Sequence, residues 1–210
     1  MLTIHHLRLS QSERIVWLAE ELEIPYQIKI YNRRQDNQLA PDDYKSLHPM
    51  GIAPVVTDKG FVLAESGAIM DWMIGTCGAS ELVPDPESPD YATHLFFYHW
   101  ANATFMTNGM MALVAQFMGA SEIPSFVADR TTKSWNLIED HLGNAKYFGG
   151  SRLSLADIMM GFQLTTSRVM SGMKIDHLPN LRQYLQRIGD RPAYQRAMAK
   201  CEPGMPPKLD

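Results

Sequence analysis

Cysteine is scarce in this chain. Only Cys77 and Cys201 occur in 210 residues, far apart and in no motif. Neither a disulfide framework nor a CxxC metal or redox site is supported. Cys77 ends an apolar stretch and reads as a buried structural thiol. Long apolar runs are missing too, since none approaches the ~20 residues of a membrane helix. The N-terminus shows no basic segment followed by an apolar core. Excess positive charge is absent: the formal net charge is −4, which argues against a broad nucleic-acid-binding surface. There is no internal repeat. His5 and His6 would point to opposite faces of one strand and so form no metal pair. The expectation is a cytoplasmic protein with no metal and with neither a nucleic-acid nor a membrane partner. Hydrophobic residues make up 45% of the chain, enough for sizeable cores.

The element pattern changes partway. Leu2 to Leu7 reads as a strand. Ser12 or a neighbour caps a helix to about Leu22, with Ile15, Leu18, Ala19 and Leu22 on one face. Tyr26 to Tyr31 alternates as a second strand, and residues Asn32 to Leu39 are polar loop. Pro41-Asp42-Asp43 starts a short helix. A hairpin and a helix from Ser66 to about Gly75 follow. Strands alternating with helices predict parallel pairing, and the hairpin adds an antiparallel edge. Leu82 to Pro89 holds three prolines and reads as a linker. Everything beyond has helical period: Asp90 to about Met118, bent near Gly109; Pro124 to about Tyr147; Ser154 to about Ser171; Leu178 to Gly189; and Pro192 to about Cys201. The tail after Cys201 reads as irregular. The expected division is residues 1–80, a linker at 81–89, and an all-α part at 90–210. Within the last part, Ser154 at an N-cap and Asp157 three residues on form a capping box, which assigns both a folding role.

The most informative segment is Met50 to Met73. Pro54 precedes a short apolar strand, as proline must at a strand start or edge. An Asp58-Lys59-Gly60 turn and a second strand complete a hairpin signal. Glu65-Ser66-Gly67 then opens an amphipathic helix whose free amides attract a carboxylate. A restrained backbone edge beside an anion pocket suits an extended, acid-bearing peptide.

These residues resemble the ligand-binding half of the thioredoxin-like domain of cytosolic glutathione S-transferases, of the bacterial or fungal serine type. The resemblance implies an α/β thioredoxin-like N-terminal domain (βαβ-ββα) and an all-α C-terminal domain that contributes a hydrophobic substrate site. It implies a cis bond at Pro54, backbone pairing of glutathione by Ala53, and a γ-glutamyl site at Glu65 and Ser66. The stretch His48-Pro49-Met50-Gly51-Ile52-Ala53-Pro54 matches the family pattern except that Ile52 stands where lysine is usual. A charge-assisted contact worth ~1.5–3 kcal/mol is thereby lost, or supplied by Arg33, Arg34, Gln38 or His48. The family's capping box matches Ser154 and Asp157.

Glutathione chemistry needs an ionised thiol, and a free thiol of pKa about 8.5 is mostly protonated at neutral pH. A hydroxyl donor or helix dipole aimed at sulfur favours the thiolate. The resemblance places that donor in the loop Leu7 to Arg14. Four residues before Arg14 stands Ser10, and Ser12 is its competitor. A tyrosine-type donor has no candidate, because Arg8 occupies its place. Arg14 itself reads as a structural ion-pair partner. Without the resemblance, Ser10 is a loop serine bonding its own backbone and Ser12 a helix cap. The electrophile pocket would lie between the two parts, with Tyr98, His99, Asn102 and Met106 as lining candidates. For His99 and Asn102 the alternative is plain solvation on a helix surface. Fourteen methionines suit an adaptable apolar site and a homodimer interface equally well. The expected function is conjugation of glutathione, as co-substrate, to small hydrophobic electrophiles by a homodimer. A non-catalytic binding protein of the same fold and a glutathione-dependent peroxidase are the alternatives.

Overall fold

The computed structural model describes residues 1–77 and 81–210. Its first part contains β1 (Thr3–Leu7), α1 (Glu13–Glu21), β2 (Gln27–Tyr31), α2 (Asp42–Lys45), β3 (Val55–Asp58), β4 (Phe61–Ala64) and α3 (Ser66–Cys77). The sheet order is β2-β1-β3-β4. β1 runs parallel to β2, while β1–β3 and β3–β4 are antiparallel. This is the mixed sheet that the βαβ-ββα pattern predicts. The expected boundary at residue 80 lies outside the described residues, and the proline-rich stretch beyond it holds turns without regular structure.

The second part is helical. It comprises α4 (Tyr91–Trp100), a π-helical stretch (Ala101–Met106), α5 (Thr107–Phe117), α6 (Ser125–Asn144), α7 (Leu155–Leu164), α8 (Thr166–Ser171), α9 (Pro179–Gly189) and α10 (Pro192–Cys201). Two sequence expectations need correction here. The long first helix is not bent at Gly109, which lies inside regular α5; the irregularity is the π stretch before it. Nor do residues 154–171 form one helix. They break at Thr165, whose φ of −122° and ψ of −91° leave the helical region.

One core joins both parts. All ten residues of α7 are buried, as expected of a helix that is apolar nearly all round. Its start is the expected capping box: Ser154 Oγ accepts from the Ala156 N–H, and Asp157 accepts from the Ser154 N–H. Asp157 also accepts from the Phe148 N–H and the Tyr184 hydroxyl. Burial pushes its carboxyl up to about 6 despite these donors. α1 packs against α7 and α10, which is why Glu13, Arg14 and Glu20 are buried along with its apolar face. Cys201 is buried, but Cys77 is exposed, contrary to the expectation of a buried thiol. Its helix runs one turn past the last core residue, Met73.

Candidate active site

Strand register gathers the motif residues. His5 pairs with Val55, so the loop leaving β1 and the Ala53-Pro54 pair entering β3 share one end of the sheet. Val55 pairs with Ala64 across the hairpin, which brings Glu65 and Ser66 to that same end. The Ala53–Pro54 bond is cis.

Ser66 is the first residue of α3. It is 1% exposed, and its Oγ has no hydrogen-bond partner. Buried hydroxyls are ordinarily paired, so this one leaves a hydrogen bond unmade beside the free amides of a helix start. Glu65, before it, is exposed and holds φ at +75°. That is the left-handed region, where a non-glycine residue costs about 1–3 kcal/mol. From the other part, the Tyr98 hydroxyl donates to the Gly67 carbonyl at 3.1 Å and to Asp71 at 2.7 Å. Burial first, then Asp71, keeps that phenol above its ordinary range and protonated.

The loop after β1 holds the two serines. Ser10 and Ser12 are both buried, with hydroxyl oxygens 2.7 Å apart. Ser12 stands at the N-cap position but makes no side-chain capping bond. This corrects the reading of Ser12 as a cap. Its Oγ faces back into the loop instead, accepting from the Leu7 N–H at 3.1 Å and lying 2.9 Å from His6 Nδ1. The Ser12 N–H reaches Ser10 Oγ at 3.3 Å.

Sequence reasoning missed the residues that lock this loop. Glu202, in the tail read as irregular, is 2% exposed. It lies 3.4 Å from His6 Nε2, 2.8 Å from Arg8 Nε, and accepts from the Leu9 N–H. Burial would raise its carboxyl, but His6, the Leu9 amide and Arg8 outweigh that and hold it below its usual range. Arg33 donates to the carbonyls of Arg8, Leu9 and Gln38. It is thus occupied with backbone, where the loss of lysine at Ile52 had made it a candidate for ligand charge. Arg34 pairs with Asp36, and Gln38 is exposed. His48 is half-buried and its Nδ1 accepts from the Met50 N–H at 3.3 Å. Ile52 is half-buried against the small cluster of Leu7, Tyr31, Tyr44 and Val55.

Arg14 is fully buried. It donates to Gln11, to Asn102 at 2.9 Å, and to Gln163. The expected carboxylate partner is replaced by neutral side-chain oxygens from three separate segments. Burial lowers its guanidinium to about 9, still charged at neutral pH. Asn102 therefore turns its side-chain oxygen to Arg14. His99 is exposed and Met106 half-buried. Two surface cavities, of about 360 and about 380 Å³, are lined by none of these residues. Among the described residues no group of three or more His, Cys, Asp or Glu could hold a metal ion, and no helix is long and apolar enough to cross a membrane.

The family models for the glutathione S-transferase N-terminal and C-terminal domains match residues 10–74 and 108–199. Glutathione S-transferase 3 of Schizosaccharomyces pombe is 28% identical, over 96% of this chain and 88% of its own length. Glutathione S-transferase 1 of Saccharomyces cerevisiae is 25% identical over 96% and 95%. Among solved structures, a glutathione S-transferase from Actinobacillus pleuropneumoniae superposes with a TM-score of 0.86 at 29% identity, covering 96% of this chain and 93% of its own. A sphingomonad glutathione S-transferase solved with glutathione shares the fold at a TM-score of 0.77, with 19% identity over 96% and 100%. Mixed four-stranded sheet, helical second part, and matches to both halves agree: this chain belongs to the glutathione S-transferase family.

Proposed function

We propose that this chain binds glutathione and adds its thiolate to small apolar electrophiles. The observation that carries the reading is the unpartnered, buried Ser66 Oγ at the start of α3. A ligand carboxylate there supplies the missing acceptor and meets the helix amides. The backbone of Ala53 lies at the same sheet end and suits the middle of an extended tripeptide. Ser10, in the facing loop, donates its hydroxyl to sulfur; Ser12 supports it from behind. His48 and Ile52 flank the glycine end. Tyr98, fixed on Gly67, and Met106 border the electrophile site, with His99 and Asn102 at its polar margin. The active form is a cytoplasmic homodimer.

Calorimetry with glutathione and turnover of a chromogenic aryl halide test this together. Ser66→Ala raises the glutathione Kd about tenfold, the worth of one charge-assisted hydrogen bond. Ser10→Ala leaves the Kd near its starting value and lowers kcat. Absence of uptake at millimolar glutathione defeats the proposal. A second reading has two observations in its favour: Ile52 replaces a cation, and Arg33 is held by backbone carbonyls. Uptake of glutathione with no turnover of aryl halides or organic hydroperoxides would make the chain a non-catalytic binding protein.

A further inference from the structure

The loop serines do not end at each other. Ser10 Oγ touches Ser12 Oγ, Ser12 Oγ touches His6 Nδ1, and His6 Nε2 faces Glu202. All four side chains are buried. We propose that this chain of hydrogen bonds is a proton relay, which carries the thiol proton from Ser10 to His6 and holds the resulting charge against Glu202. The proposal rests on the reading that Ser10 faces the glutathione sulfur.

Hydrogen-bond capacity supports it. A hydroxyl has one donor and two acceptor sites. The relay requires that, before transfer, His6 carry a single proton on Nε2, toward Glu202. Nδ1 then accepts from Ser12. Ser12 accepts from the Leu7 N–H and from Ser10. Ser10 accepts from the Ser12 N–H, and its second lone pair is open to the thiol. Transfer breaks the S–H bond and forms an Nδ1–H bond. The sulfur proton passes to Ser10, that of Ser10 to Ser12, and that of Ser12 to His6. The products are a thiolate and an imidazolium, with Glu202 still a carboxylate. The side-chain bonds of the relay are kept but reversed, while the Leu7 and Ser12 amides donate as before. Ser12 now accepts from the Leu7 N–H and His6 and donates to Ser10. Ser10 accepts twice and donates its own hydrogen to the thiolate. Each hydroxyl of the relay keeps its partners in both states, as buried polar networks require; the Leu7 carbonyl, 3.3 Å from Ser12 Oγ, competes for the one Ser12 hydrogen and receives it in neither.

The charges facing this relay come from several elements. Glu202 meets His6, Arg8 and the Leu9 amide directly. Arg33 also faces Glu202, while Glu13 and Cys201, whose protons are held first by burial and then by Glu202 among their neighbours, add no charge. Arg8 already balances Glu202 in part, so a protonated His6 leaves the loop positive and favours the thiolate further. His6 and Glu202 do not touch substrate; they are positioning and proton-holding residues.

The test follows the ultraviolet absorbance of bound thiolate against pH at saturating glutathione, with calorimetry alongside. His6→Asn cannot take up a proton, and Glu202→Gln keeps the shape but removes the counter-charge. With the glutathione Kd read below both midpoints, where the bound thiol is still protonated, both variants should leave it unchanged, and both should raise the ionisation midpoint by about one pH unit, about tenfold less thiolate below both midpoints. Folded variants with the wild-type midpoint overturn the relay, as does parallel loss of Kd and ionisation. Should His6→Asn fail to fold, Glu202→Gln decides. No glutathione uptake by the wild type, or a Ser10→Ala midpoint equal to wild type, would instead overturn the reading of the site.

Discussion

Glu13 shows how much one buried side chain can impose. It is fully buried, and burial raises its carboxyl from 4.5 to about 8, against the Thr166 hydroxyl, which donates to it at 2.6 Å, and neighbouring Arg14. Below about pH 4.5 both folded and unfolded chains hold this proton, and stability is fully present. Between 4.5 and 8 only the folded chain holds it, so unfolding releases a proton and stability falls as pH rises. The slope reaches at most about 1.4 kcal/mol per pH unit. Glu13→Gln should flatten that dependence, and denaturant midpoints of both proteins from pH 5 to 9 measure the difference. Equal slopes would show that Glu13 is ionised in the folded state. Ser12, close by in sequence, has the residue type and position of a cap, yet His6 and the Leu7 amide claim its hydroxyl. Cap chemistry is written in a few adjacent residues; competition for the hydroxyl from a preceding strand is not.

At the scale of elements, α7 and its neighbours are the most constrained. A methyl added at Gly161 would lie 2.9 Å from Cζ3 of Trp17. That indole is 1% exposed, packed edge-on to Tyr194 and bonded to Glu21. It has little room to retreat, so α1 and α7 must separate. Gly161→Ala is expected to cost about 1–3 kcal/mol, as overpacking does. Urea unfolding checks this, and an unchanged midpoint would mean that the ring moves freely. The start of α7 was legible because Ser154 and Asp157 are three apart before an apolar run. The break at Thr165 was not, because the apolar period continues through it. The same holds for the π stretch at Ala101–Met106: Gly109 is the helix-weakening residue in that run, but the register shift lies where Arg14 meets Asn102.

At the scale of the whole molecule, the larger of two core clusters spans both parts and is edged by a polar seam. α1 belongs to the first part by sequence but packs against α7 and α10 of the second. Along the seam Glu20 meets Arg196 and Lys200, and Glu21 meets Arg191. Such half-exposed pairs contribute little each; the shared apolar core dominates. The two parts should therefore unfold together, with tryptophan fluorescence and far-ultraviolet circular dichroism giving coincident urea transitions. Two separated transitions would refute a common core.

The sequence by itself determined the order of the strands and of most helices, the hairpin, the capping box, and the motif around Pro54 and Ser66. These depend on periodicity, turn chemistry and capping, which act over a few neighbouring residues. Only the tertiary structure decided that Arg14 would meet Gln163, that Cys77 would be exposed, and that Glu202 would close the loop carrying Ser10. Partners separated by up to 196 positions leave no local signature. They are chosen when packing brings buried charges together and each must find a mate out of water.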